Sequence, residues 1–104
     1  MQIVNSENIV GKEIASSLGL VRGSATRSRS IFSDFVAALK NIIGGEVHEY
    51  TKLLADTREQ AFSRMVKDAE AVGADAIVNV RITTSTISQG TSEILAYGTA
   101  VKLK

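Results

Sequence analysis

A chain of 104 residues has the size of one ordinary domain and is too short for two independent cores, so residues 1–104 are expected to form a single unit. Its 44% hydrophobic and 22% charged residues are the balance of a globular domain, which argues against a long disordered stretch. The net charge of +1 is too small to draw nucleic acid or an anionic membrane.

Ile3 and Val4 suggest a short first strand. Residues 12–26 alternate, with Ile14, Leu18 and Leu20 on one parity and Ala15, Ser17, Gly19, Val21 and Gly23 on the other. That is the period of a strand whose second face carries small residues. A helix is expected next. Ser30 suits its N-cap, Asp34 places negative charge in its first turns, and Ile31, Phe35, Leu39 and Ile42 recur at helical spacing. Gly44-Gly45 then stops it.

A longer helix is expected over about residues 47–72. Tyr50, Leu54, Ala61, Met65, Ala69 and Val72 form its apolar stripe, widened by Leu53, Phe62 and Val66. Lys52, Asp56, Glu59, Gln60, Ser63, Lys67 and Glu70 fall on the wet side, and Gly73 caps the end. Such a helix is roughly 39 Å long, so it either bends or reaches past its own subunit.

The last third reads as a hairpin. Ala76, Val78, Val80 and Ile82 alternate with Ile77, Asn79, Arg81 and Thr83, and Ser88-Gln89-Gly90-Thr91 turns the chain. The return strand, residues 93–104, places Leu95, Tyr97, Val101 and Leu103 on one face. Ile94, Ala96, Gly98 and Ala100 occupy the other.

A half-solvated antiparallel strand should alternate apolar with polar. Here the expected outer face, Ile94, Ala96, Gly98 and Ala100, is apolar or small, and the first long strand repeats the pattern. Two helices on one face of a three-stranded sheet cannot also cover the other. A neighbouring copy of the chain is therefore the expected cover, with those four residues as the oligomer interface. The alternative is a helix that wraps round to that side.

The chain has no cysteine, which removes disulfides, thiolate metal sites and a thiol nucleophile together and fits a reducing compartment. The start of the sequence lacks the basic and apolar regions of a secretion signal, and no window approaches the ~20 apolar residues of a membrane span. A cytoplasmic location is expected. Arg22, Arg27 and Arg29 form the nearest thing to a basic cluster, without aromatic residues to stack bases.

Several stretches, taken in order, resemble the YbjQ-like family of small bacterial and archaeal proteins. They are Gly19-Leu20-Val21-Arg22-Gly23, Thr26-Arg27-Ser28-Arg29-Ser30, Gly44-Gly45-Glu46 with Tyr50-Thr51, and Arg58-Glu59-Gln60-Ala61. Gly73-Ala74-Asp75-Ala76-Ile77-Val78 and Glu93-Ile94-Leu95-Ala96-Tyr97-Gly98-Thr99-Ala100-Val101 complete the set. The resemblance implies an α+β fold: a β-α-β-β subunit like that of the dodecins, with an antiparallel sheet and one long helix. It also implies assembly as a ring-shaped homopentamer. The family is associated by name with heavy-metal binding and has no established activity. The sequence departs from the family pattern at Ser30, where Asn is usual, and at Asn79, where Gly is common.

Soft metals want thiolates or several imidazoles, and this chain offers one histidine. Glu46, His48 and Glu49 are the candidate ligands for a divalent metal, although on a helix His48 points about 200° from Glu46. A ring would bring one His48 per subunit together at its axis. The bland alternative is a surface histidine near a helix start. No serine sits in a strained turn beside that histidine, and Asp56 and Glu59 lie on the polar face, so catalysis is not expected. Gly19, Gly23 and Ser24 lie within a strand and make no phosphate loop. Gly44-Gly45-Glu46 could aim helix amides at an anion, with Arg27 or Arg29 assisting, though a helix stop followed by a turn explains it better. The remaining expectation is a small-ligand cleft between subunits, lined by Arg27, Arg29, Glu46, Tyr50 and Arg58. The competing role for these five is to fix subunit geometry through ion pairs.

Overall fold

The computed structural model describes residues 1–28, 46–88 and 91–104. The expected helix around residues 30–43 and the turn residues Gln89-Gly90 lie outside the described residues. Within them, strand β1 (Gln2–Ile3), strand β2 (Ile14–Ser28), helix α1 (Glu46–Ala71), strand β3 (Ala76–Ser88) and strand β4 (Thr91–Leu103) follow one another. The class is α+β, with one described helix and a four-stranded sheet in the order β1-β3-β4-β2. The expected antiparallel sheet is in fact mixed. β1 runs parallel to β3, while β4 pairs antiparallel with both β2 and β3.

Each boundary has a local cause. α1 ends in a Schellman motif: the Gly73 N–H donates to Glu70 O at 3.0 Å and the Ala74 N–H to Ala69 O at 3.1 Å. Gly73 takes φ +76°, the left-handed turn that glycine enters without steric cost. The expected wet side of α1, from Lys52 to Glu70, is exposed, and Ala61, Met65 and Ala69 of its stripe are fully buried. Leu54 and Val72, assigned to the stripe, stand in solvent, whereas Thr57 is buried in line with Ala61.

Register shifts decide which side chains face the helix. β2 shifts twice, between Ile14 and Ser16 and between Ser17 and Gly19, and Gly19 has φ +101°. The first extra residue reverses the alternation and the second restores it, so three apolar residues of one sequence parity reach three environments. Ile14 joins a cluster with Leu103, Leu18 packs on the helix-side core, and Leu20 is 66% exposed. In β3, Asn79 and Val80 together oppose Gly98, between the pairs Val78↔Thr99 and Arg81↔Tyr97. Asn79 carries φ 55°, a conformation open to glycine and tolerated best by Asn and Asp among the rest.

The expectation about the small-residue face is corrected. Ala96 and Ala100 are 0% exposed within the single chain and belong to one core cluster with Val21, Ala25, Ala61, Met65, Ala69, Ile77 and Val80. The side occupied by Ile94, Ala96, Gly98 and Ala100 is therefore the inner side, sealed by the chain's own α1. It is not available as an interface to a second copy in this packing. The small residues permit close approach of that helix. A Cβ at Gly23 would run into the Met65 amide nitrogen and the Ala61 carbonyl oxygen. The opposite sheet face is covered at one end, where Ile9 packs with Ala76, Val78 and Val101.

Gly23→Ala is expected to destabilise the fold by about 3 kcal/mol, the upper end for overpacking, because helix backbone rather than a flexible side chain occupies the space. Thermal unfolding checks this: a drop of the order of 10 °C fits, and an unchanged midpoint would contradict the helix seating.

Candidate functional site

α1 lies across β2 and the adjoining part of β4. On the same side of the sheet, β3 and β1 are left without that cover. A groove of about 830 Å³ opens there, lined by Ile3, Val4, Phe62, Val80 and Ile82, with polar Asn5, Ser6 and Arg81. A second hollow of about 510 Å³ continues along the helix past Glu59, Ser63 and Val66 and shares Ile3 and Phe62. Arg81 ties the groove to the N-terminal segment: its Nη1 donates to Asn5 O at 2.7 Å and to Val80 O at 3.0 Å. The signal for this surface was present in the sequence as Phe62 and Val66, which broaden the helix stripe past the width one sheet contact needs. Its lining from β1 and β3 carries no comparable signal.

The sequence-derived candidates are only partly assembled here. Arg27, near the end of β2, is half-buried, and its Nη2 donates to Thr57 Oγ1 of α1 at 2.7 Å. Thr57 is 2% exposed, so this charge-assisted bond links strand to helix below the surface. Arg58, next in sequence, points to solvent on the exposed side. The backbone of Glu46, His48, Glu49 and Tyr50 forms the first turns of α1, but their side chains lie outside the described residues, as does Arg29 entirely. Thr57 was not singled out from the sequence. A lone threonine inside an apolar stripe carries no chemical signal until its partner is known.

Among the described residues, no three His, Cys, Asp or Glu side chains come close enough to hold a metal ion. The chain has no cysteine and a single histidine. The described residues therefore do not fit a heavy-metal site. No described helix is long and apolar enough to cross a membrane.

The family described as "Putative heavy-metal-binding" matches residues 1–104. This chain belongs to that YbjQ family. Relatives carrying the family designation UPF0145 span its full length. One from Halorubrum lacusprofundi is 51% identical over 104 residues, covering 100% of both chains. One from Photobacterium profundum is 52% identical over 103 residues, covering 99% of this chain and 100% of its own. One from Methanosarcina acetivorans is 50% identical over 103 residues, covering 99% and 97%. A crystal structure of a protein with unknown function from Pediococcus pentosaceus aligns at TM-score 0.64 and 14% identity, covering 100% of this chain and 98% of that one. That likeness supports the fold alone.

Thr57→Val keeps the side-chain shape and removes the acceptor for Arg27. It is expected to cost about 1–3 kcal/mol, read by chemical denaturation, because the bond is buried and its donor charged. An unchanged unfolding free energy would show that the strand-to-helix link contributes nothing.

Proposed function

We propose that this chain is a non-enzymatic, cytoplasmic, self-assembling module: a ring of five copies that binds a small ligand between subunits or serves as a scaffold. The observation carrying the reading is the incomplete cover over the sheet. α1 seals β2 and β4, but Ile82 (44%), Ile87 (57%) and Leu20 (66%) remain in solvent. Of these, Ile82 lines an open groove together with Ile3, Val4, Phe62 and Val80. An exposed groove with apolar lining of this kind suits contact with another molecule. A second copy is the partner that the family resemblance suggests. Arg27, Arg29, Glu46, Tyr50 and Arg58 supply the polar part of an intersubunit cleft.

Heavy-metal binding is the second reading, favoured by the family's description. It requires one His48 per subunit to converge in the assembly, with Glu46 and Glu49 nearby. One histidine per chain gives a weak donor set for a soft metal unless the subunits share it.

Native mass spectrometry of untagged protein purified without chelators is expected to show five copies and to report any retained small molecule. A well-folded monomer at micromolar concentration would overturn the assembly. The roles of the polar set separate in Arg27→Ala/Glu46→Ala. A cleft role predicts that the ring persists and ligand-induced thermal shifts vanish; a purely architectural role predicts dissociation. For the metal reading, calorimetric titration with Zn²⁺, Cu²⁺ and Ni²⁺ should give heat that His48→Ala abolishes. Absence of heat ends that reading.

A further inference from the structure

On the face of the sheet turned away from α1, strand pairing sets three side chains in one row. Tyr97 of β4 stands opposite Arg22 of β2 on one side and opposite Arg81 of β3 on the other. Directly paired residues of a sheet project from the same face. Ala96, the next residue along β4, is sealed under α1, so Arg22, Tyr97 and Arg81 project from the opposite face. Strands about 4.8 Å apart put the two arginine backbones roughly 10 Å from each other, with Tyr97 between them. Both arginines are exposed and Tyr97 is half-buried.

The row lies where the cover of that face stops. In the neighbouring row Thr99 stands between Leu20 and Val78. Val78 is buried in the cluster with Ile9, whereas Leu20 is 66% exposed. At the margin of the cover, the Asn5 carbonyl accepts from Arg81 Nη1 at 2.7 Å, and the Val80 carbonyl accepts from the same nitrogen at 3.0 Å. A guanidinium donates through Nε, Nη1 and Nη2, so the Nε and Nη2 side of a tethered Arg81 is left for a further acceptor. Among the described residues, neither guanidinium of the row meets a carboxylate. The ion pairs there are Lys102–Asp75 and Lys104–Glu13, and Asp68 accepts from the Arg22 backbone rather than from its side chain. On this face of β4, Glu93 is two rows away, opposite Thr26 and Ser85.

A guanidinium stays charged at physiological pH, and its planar fork matches the oxygens of a phosphate. Two of them on either side of one residue suit a dianion better than a singly charged carboxylate. Tyr97 adds a ring face between the charges, and exposed Leu20 adds an apolar margin, which together favour a ligand with a flat ring over bare phosphate.

We propose that Arg22, Tyr97 and Arg81 form a binding site for a small phosphate monoester carrying an aromatic ring. The phosphate bridges the two guanidinium groups, and the ring rests on Tyr97 and Leu20. The site goes beyond the intersubunit cleft: it uses residues of one chain, and none of them belongs to the cleft's polar set. Arg81 also borders the groove beside Phe62, but Arg22 and Tyr97 do not line it.

Adenosine monophosphate is the probe for the untagged full chain, with ribose 5-phosphate and adenosine as controls that each lack one half. At up to about 5 mM probe, amide shift changes in wild type should centre on residues 20–22, 81–83 and 95–99. Each control should bind at least about tenfold more weakly. Arg22→Gln keeps the backbone bond to Asp68 and should melt like wild type, while its affinity for the probe falls about tenfold or more. Wild type without shift changes at those residues, or Arg22→Gln with unchanged affinity, overturns the site. Ribose 5-phosphate binding as tightly as the probe overturns the place given to the ring. Shift changes confined to Arg27, Glu46 and Tyr50 overturn this site and leave the intersubunit cleft standing.

Discussion

The close approach of helix backbone over Gly23 governs the rest. Because α1 rests directly on β2 there, its buried side chains are short or flexible: Ala61, Met65 and Ala69. The strands beneath answer with Val21, Ala25, Ala96 and Ala100. Such a shallow interface seats the helix mainly on β2 and β4, with Ile77 and Val80 of β3 reaching the same core from the side. The groove beside Phe62 and the exposed stretch of β3 from Arg81 to Ser88 lie beyond that seating.

The same seating explains how the edges differ. A helix running over β2 brings Asp68 and Arg64 within reach of its outer backbone, so the edge nearest the helix is closed by side chains of ordinary length. Among the described residues, the far edge is lined by the two-residue β1 and the segment after it, which end their backbone pairing before Arg81. Among the described residues, Arg27 is engaged with Thr57 and Asp68 with the Arg22 backbone N–H, so both join the helix to β2.

Much of the fold was legible in the residues. The helical stripe, its wet face, the Gly73 stop and the closing hairpin each arise from local periodicity or turn chemistry, and local rules suffice for them. The sense of the sheet was not legible. Ile94, Ala96, Gly98 and Ala100 look like an outer face because large residues normally mark the inside; a close-packed helix inverts that, preferring small residues beneath it. The bulges at Gly19 and Asn79 were equally hidden, since a single inserted residue reverses parity and leaves composition unchanged. The parallel β1 pairing depends on a contact across more than 70 residues, which a two-residue strand cannot announce. Of the candidate site, Arg27 was found by residue type, but Thr57 and the groove depend on which elements meet.

The fold described depends on α1 covering the sheet of its own chain. Isotope-filtered NOE spectroscopy on a mixture of labelled and unlabelled protein separates contacts within a chain from contacts between chains. The methyl groups of Ala96 and Ala100 should show NOEs to Met65 and Ala69 solely within a chain, at every concentration. Strong intermolecular NOEs from either alanine methyl would place a neighbour on the small-residue face and contradict the structure described.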